Sequence, residues 1–351
     1  MTDVLALATS PSHEPEKAAE VAGLVYVSDE EPGIRRRRCG RGFAYYNLDG
    51  NLIQDGSLKD RIKGLAVPPA WSDVWICPDP DGHMQATGRD KRGRKQYLYH
   101  ERWREVRDAT KFHRLSTFGH ALSLVRATVH SDLSLRTMSR EKVMAIAVAL
   151  LDESLIRVGN DEYTRANGSY GLTTLRAEHI DLSSTRVRLH FVGKGGKQRE
   201  VTVRDRRLAR MLRRCEEIPG QCLFGYETDS GWSRVESGDI NDWLRERTGE
   251  DFTSKDFRTW GGTVVAAATL HELGPPASEQ EAEQKLLAAV DAAAERLGNT
   301  RAVARSGYVH PAVPVAYSEG TLSQSFEAAE EAEWLDHDEV AVLNLLEWAA
   351  G

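Results

Sequence analysis

The sequence predicts an α+β chain of two unequal parts, a small β-rich domain over residues 24–108 and a larger, mainly α-helical domain over 109–317, flanked by acidic extensions at 1–23 and 318–351. Three observations carry this. At 351 residues the chain is long enough for two cores. Up to residue 108, short runs alternate apolar with polar residues between turn signals, the period-two signature of strands. Beyond residue 110 the period becomes helical, interrupted mainly at 179–203.

Residues 1–20 are polar and rich in Ala and Glu, and read as a flexible extension. "GLVYVSD" from Gly23 alternates as a strand, and "GFAYYNLDGNLIQD" reads as a hairpin around Asp49-Gly50. "LKDRIKGLAVPPAW" is one short helix stopped by Pro68-Pro69, and "WSDVWICPDPDGHMQATGRD" supplies further strand and turn signals. "SREKVMAIAVALLDESLIRVGN" is a helix with Ser139 as its N-cap, an apolar face and Gly159 as its stop. Residues 179–203 read as strands with tight turns, "FVGKGGKQREV" being a hairpin with a Lys-rich tip. "RRLARMLRRCEEI", "SGDINDWLRERTG", "TSKDFRTWGGTVVAAATLHEL" and "SEQEAEQKLLAAVDAAAERLGNT" return to helical periodicity, the last ending at Gly298-Asn299. The acidic tail contains one further amphipathic helical pattern, and no repeat of fixed period is present.

The composition, 40% hydrophobic and 28% charged, is that of a globular chain. No apolar run approaches the ~20 residues of a membrane span, and "MTDVLALATS" lacks the basic start of a secretory signal. Cys39, Cys77, Cys215 and Cys222 are scattered without CxxC spacing, so free thiols in a reducing cytoplasm are expected, with no zinc site. The net charge of -7 hides an asymmetry: nine acids and no base in 318–351, and a net of -6 in 1–31, leave +8 on residues 32–317. A basic body between acidic ends is expected of a polyanion binder. The acidic tail either competes with that polyanion, binds a partner, or packs as a helix on the back of the larger domain.

Five groups of residues point to anion chemistry. "GRDKRGRKQYLYHERWREVR" (88–107) carries eight Lys/Arg against three acids, with Tyr97, Tyr99 and Trp103 interleaved, a pattern suited to phosphates and to the sugars or bases beside them. Arg157 follows Leu155-Ile156 at the end of a strongly apolar helix; it meets a protein acid, Asp152 or Glu153, or it waits for an anionic ligand. Lys194 at the hairpin tip is a surface lysine or a proton donor to a leaving oxygen. Lys255 and Arg258 in "SKDFRTWGG" share one helix face while Asp256 points elsewhere. In "LGNTRAVARSGY", Asn299 offers an amide donor, and Arg305 lies three residues before Tyr308, a phenol that neighbouring cations would activate as a nucleophile. Tyr317, with no cation just upstream, reads as packing.

Taken in order, "GRDKRGRKQYLYH", "IRVGNDEYTRANGSYGLTTL", "FVGKGG", "SKDFRTWG" and "LGNTRAVARSGY" resemble a type IB DNA topoisomerase of the small poxvirus and bacterial kind, over roughly residues 24–317. The resemblance implies two lobes that clamp duplex DNA. It implies catalytic roles for Arg157, Lys194, Lys255, Arg258, Asn299 and the nucleophile Tyr308. It places DNA contacts on Arg94, Gln96, Tyr97, Tyr99 and Tyr163, with Arg89, Lys91, Arg92 and Lys95 beside them. The implied reaction is reversible transesterification through a 3′-phosphotyrosine, without ATP, cofactor or obligatory metal, by a monomer acting on double-stranded DNA in the nucleoid. Asn299 stands where poxviral members have a histidine in "GHTP", and Arg301 replaces the following proline, adding a cation near the nucleophile.

Two rival readings remain. A tyrosine recombinase shares the Arg/Lys/Arg/Tyr logic but usually has a histidine three residues before the second arginine, where this chain has Lys255. A non-enzymatic DNA-binding protein would need the basic surfaces and no competent Tyr308.

Overall fold

The computed structural model describes residues 15–40, 42–91, 93–218, 222–228 and 231–350. The chain divides into two compact units, 1–113 and 114–351.

The first unit is a five-stranded antiparallel sheet in the order β2-β1-β3-β4-β5, formed by Ile34–Cys39 (β1), Gly42–Tyr46 (β2), Ser72–Ile76 (β3), Met84–Arg89 (β4) and Lys95–Tyr99 (β5). Strand alternation sends Ile34, Val74, Ile76, Ala86 and Leu98 to one face, where Ile53 and Ile62 cover them. Ile62 lies on α2, Gly56–Gly64, which is capped by Asp55 accepting from Leu58 N at 2.7 Å. One expectation fails here: "GLVYVSD" contributes only a bridge from Val25 to Gly82. The turn at Asp49-Gly50 does reverse the chain, with Asn47 N bonding Asn51 O and Ile53 N bonding Tyr45 O, both at 2.9 Å, around the bridge Tyr46–Leu52. A longer hairpin, not read from the sequence, joins β1 to β2 with Cys39 opposite Gly42. Four consecutive arginines, Arg35–Arg38, conceal the alternation that marks β1. Arg36 turns inward and donates to the carbonyls of Val67, Pro68 and Trp71 at 2.7–3.0 Å, while Arg37 lies over the Tyr46 ring. Within the N-terminal extension Pro15–Val21 forms α1, whose Ala19 packs with Ala22, Leu24 and Trp103. Trp103 lies on α3, Glu101–His113.

The second unit is mainly helical. Its centre is α5, Arg140–Ser154, in which Val143 to Val148, Leu150 and Leu151 are all buried. A helix that is apolar all round belongs in the middle of a core. Leu115–Asp132 (α4) and Arg206–Glu216 (α7) pack against it. So does the three-stranded sheet of Ile180–Leu182 (β6), Val187–Val192 (β7) and Gln198–Val203 (β8), through its last strand. Asp161–Asn167 forms the short α6, and Gly225–Thr228 (β9) pairs with Gly231–Arg234 (β10). Ser237–Thr248 (α8), Ser254–Leu273 (α9) and Glu279–Leu297 (α10) follow, then Arg301–Gly307 (α11) and Ala312–Glu319 (α12). α5 ends at Leu155, in the left-handed region at φ 53°, and not at Gly159.

The acidic C-terminal segment folds back into this unit as Leu322–Glu327 (α13) and His337–Ala350 (α14). Val342, Leu345 and Leu346 join the same core. Glu339 of α14 is buried, with both oxygens on Arg126 of α4 at 2.5 and 2.8 Å and Oε1 also accepting from Trp260 Nε1 at 3.0 Å. Arg126 further grips Asp152 of α5, which settles where that acid is spent. Of the readings open for the acidic tail, the packed helix is the observed one. No helix among the described residues is long and apolar enough to cross a membrane.

Candidate active site

Six side chains named from the sequence fall in the second unit, and four converge. Arg258 sits in the first half of α9, whose start is fixed by a reciprocal cap: Thr253 accepts from Lys255 N, and Asp256 accepts from Thr253 N at 2.7 Å. Asp256 therefore serves the helix end, as expected. Arg258 is buried, 3% exposed, and donates to the carbonyl of Leu155 and, at 3.1 Å, to that of Leu297. It thereby closes the orphan carbonyls at the ends of α5 and α10. The bond to Leu155 satisfies the carbonyl of the residue at which α5 ends. Its Cζ lies 5.1 Å from the centre of the Tyr308 ring.

Asn299 is placed by the end of α10. Gly298 adopts φ +62°, its N–H bonds Glu295 O at 3.1 Å, and Asn299 N bonds Ala294 O at 2.9 Å. This paired closure is a Schellman turn. Thr300 then caps α11 by accepting from Val303 N, so three residues, 298–300, separate the helices. Tyr308 is the C-cap of α11, half-buried, and its carbonyl accepts from Thr263 Oγ1 at 3.3 Å. The Gly261-Gly262 pair of α9 makes the approach possible. A Cβ on Gly262 would lie 2.7 Å from Tyr308 O, and one on Gly261 would lie 2.3 Å from Leu155 Cδ1.

Arg157 reaches the same point from the other side. The backbone around it is pinned by Leu172 N to Arg157 O at 2.9 Å and Thr173 N to Val158 O at 2.8 Å. Its guanidinium donates to Asn299 Oδ1, which also accepts from Arg258 at 3.4 Å. Arg157 thus takes neither of the acids open to it from the sequence. With Oδ1 committed to two arginines, Asn299 Nδ2 is buried without an acceptor, and so is Arg258 Nε. Two stranded donors beside a phenol mark a place where an anion's oxygens would be bound.

The electrostatics agree. Burial alone would raise the phenol's pKa, but Arg258, then Lys255 and Arg157, bring it below its ordinary value of 10. Burial lowers Arg258 to about 10, with Tyr308 opposing and Arg157 adding to the shift. Burial likewise lowers Arg157, with Tyr308 opposing.

Lys255 is exposed at the start of α9 and acts on the phenol through space. Lys194 is exposed on the turn between β7 and β8, where Gly195 and Gly196 both have positive φ; with Arg157, Tyr170, Arg199 and Leu297 it lines a small open cavity. Arg301 does not join the site. It pairs with Asp291 of α10 at 2.5 Å, and the cations acting most strongly on the phenol do not include its chain neighbour Arg305. Tyr317 is buried and donates to Gly274 O at 2.8 Å, a packing role. Sequence reading missed Arg199, Thr263 and Leu155; only the Gly pair after Trp260 hinted at the close approach.

The basic-aromatic segment lies in the first unit, at the β4–β5 turn. Lys95, Tyr97 and Tyr99 alternate onto the exposed face of β5, and the two rings stack 5.9 Å apart. Arg94 and Gln96 are gathered on Asp90, at 2.6 and 3.1 Å, and Lys95 bonds Asp29 at 2.7 Å. Arg89 donates to Gly93 O and Lys91 is exposed. Arg92 and the side chain of Tyr163 lie outside the described residues. Among the described residues no group of His, Cys, Asp or Glu is arranged to hold a metal ion.

The chain has known relatives. Residues 100–329 match the family model of the eukaryotic DNA topoisomerase I catalytic core, and residues 42–90 match that of the bacterial DNA topoisomerase IB N-terminal domain. A DNA topoisomerase 1B of Acanthamoeba polyphaga mimivirus is 32% identical over 287 residues, 79% of this chain and 85% of that protein. The chain belongs to the type IB DNA topoisomerases. DNA topoisomerase 1B of vaccinia virus and DNA topoisomerase I of monkeypox virus are more distant, each 23% identical over 280 residues. As a topoisomerase the chain acts on DNA, and the matched catalytic core contains all six residues described above. The α+β architecture, a β-sheet domain before a larger helical core, is the family's.

Proposed function

We propose that this topoisomerase relaxes positive and negative supercoils through a transient 3′-phosphotyrosine at Tyr308. The observation that carries the reading is the pair of stranded donors, Asn299 Nδ2 and Arg258 Nε, beside a phenol that cations hold below its usual pKa. In the forward step Tyr308 gives up its phenolic proton to solvent, the phenolate Oη attacks a backbone phosphorus, the phosphorus–O5′ bond breaks, and the 5′-oxygen leaves as a hydroxyl. The proton that it needs comes from Lys194, with Lys255, whose charge acts on the phenol, as a second ammonium. Arg157, Arg258 and Asn299 donate to the nonbridging oxygens as charge builds on them. Preorganised donors of this kind lower the barrier by about 3 kcal/mol each. The phosphotyrosine conserves the energy of the broken ester, so the reverse attack by the 5′-hydroxyl requires no ATP. The cations on the protein supply charge neutralisation that a metal would otherwise provide. Between the two steps the cut strand turns about the intact one, whichever the sense of supercoiling.

Lys95, Tyr97 and Tyr99 on the first unit, with Arg89 and Lys91 at the adjoining turn, are proposed duplex contacts, and a monomer acting on double-stranded DNA in the cytoplasmic nucleoid suffices. Plasmid relaxation in EDTA without nucleotide is the test, with substrates of both signs. Full relaxation at arbitrary sequence is expected, abolished by Tyr308→Phe. Strand exchange limited to paired sites would favour the recombinase reading, and relaxation by the Phe variant would remove Tyr308 as nucleophile.

A further inference from the structure

One arginine near the site has no role in the chemistry above. Arg199 lies on β8, five residues after Lys194, and is half-buried. Burial lowers its pKa, and the like charges of Arg157 and Arg296 lower it further. A guanidinium in that position needs acceptors. It finds them at the end of α10, donating to Glu295 O at 3.5 Å and Arg296 O at 3.3 Å. These carbonyls are the negative end of the helix, where a cation is favoured.

The plane of that guanidinium lies on Gly298. A Cβ there would be 2.1 Å from Nη1, 2.3 Å from Cζ and 2.6 Å from Nε of Arg199. Gly298 is therefore required twice, by its φ of +62° and by the arginine pressed against it. The next residue is Asn299, whose amide orientation decides whether Nδ2 faces the anion site. Arg199 also shares the small cavity with Arg157 and Lys194, so it joins the hairpin bearing the proposed proton donor to the helix end bearing Asn299.

Resting on the phosphotyrosine reading, we propose that Arg199 is a positioning residue: it clamps the Schellman turn through Gly298 and so fixes the Asn299 amide for a nonbridging phosphate oxygen. It acts through Asn299, not on the phosphate. A planar fork spanning two carbonyls and covering a glycine is something a lysine cannot reproduce.

The test is the single-turnover rate of covalent adduct formation on a duplex whose cleaved 5′ strand is too short to stay bound, at saturating enzyme. Arg199→Ala is expected to lower the rate constant about 10- to 100-fold with DNA affinity within about three-fold of wild type, and Arg199→Lys to remain nearly as slow. The double variant R199A/N299A is expected to be no slower than N299A alone, within about two-fold. Multiplicative losses in the double variant, full recovery by R199K, or a wild-type rate for R199A would each overturn the proposal. Thermal melting accompanies each variant; if R199A melts early, Arg199→Met, which keeps the stem, takes its place in the cycle. Failure of the underlying function reads differently, since then Tyr308→Phe still forms adduct or relaxes DNA.

Discussion

Removing the Arg258 guanidinium tests how the fold activates a phenol. Its Cζ is 5.1 Å from the ring centre. At that distance, with an effective dielectric of about 20, one cation stabilises a phenolate by about 3 kcal/mol. Arg258→Ala should therefore raise the phenol's pKa, because Arg258 is the leading charge that opposes the effect of burial. On the proposed mechanism the phenolate attacks, so the limb on which rate climbs with pH should extend to higher pH, with water entering the vacated space trimming the effect. The variant also loses a donor to the phosphate, worth about 10²- to 10³-fold in the pH-independent rate. At neutral pH the two losses multiply to about 10⁴ or more. The assay is single-turnover cleavage of a duplex oligonucleotide from pH 5 to 10.5, with circular dichroism to confirm folding, since Arg258 also holds the carbonyls of Leu155 and Leu297. Arg258→Lys is the control: charge is retained, so the inflection should move little while the plateau falls. An unmoved inflection in the Ala variant would show that Arg258 does not tune the phenol.

Three further outcomes are expected. Gly262→Ala places a methyl 2.7 Å from Tyr308 O, so cleavage should fall at least ten-fold with DNA binding retained, as read by adduct formation and filter binding. Glu339→Ala leaves Trp260 Nε1 without its acceptor and Arg126 with Asp152 as its one remaining carboxylate, and should cost about 1–3 kcal/mol of unfolding free energy by urea titration. Asn299→Ala should lower the cleavage rate about 10²-fold without adding or removing an inflection near pH 6.5, because an amide does not titrate.

Much of this site was legible in the sequence because its residues come in short runs with fixed spacing. Arg157, Lys194, Arg258, Asn299 and Tyr308 each sit in a segment whose local structure follows from propensity, a helix end, a glycine turn or a cap. What stayed hidden depends on long-range contact. Arg199 looks like one more exposed charge in a hairpin, and only the meeting of β8 with the end of α10 buries it. The end of α5 was misplaced because the left-handed residue that closes it is Leu155, whose carbonyl is taken by a side chain 103 positions away, and not the glycine downstream. The arginine strand β1 defeated alternation because Arg36 replaces an apolar residue with a long stem and three carbonyl partners. The acidic tail's amphipathic pattern left three readings open, and the burial of Glu339 with Val342, Leu345 and Leu346 on the face that seats the helix decides for packing. Arg301 seemed an added cation at the site because chain proximity ignores Asp291, which lies one helix away and claims it.

The most direct measurement is to trap the covalent complex on nicked duplex DNA, digest it, and locate the nucleotide-bearing peptide by mass spectrometry. The expected product carries a 3′-phosphoryl nucleotide on the phenol oxygen of Tyr308, with a free 5′-hydroxyl on the released strand. Attachment to Tyr317 or to a serine, or a 5′-phosphoryl linkage, would show that the ring beneath Arg258 is not the group that exchanges with DNA.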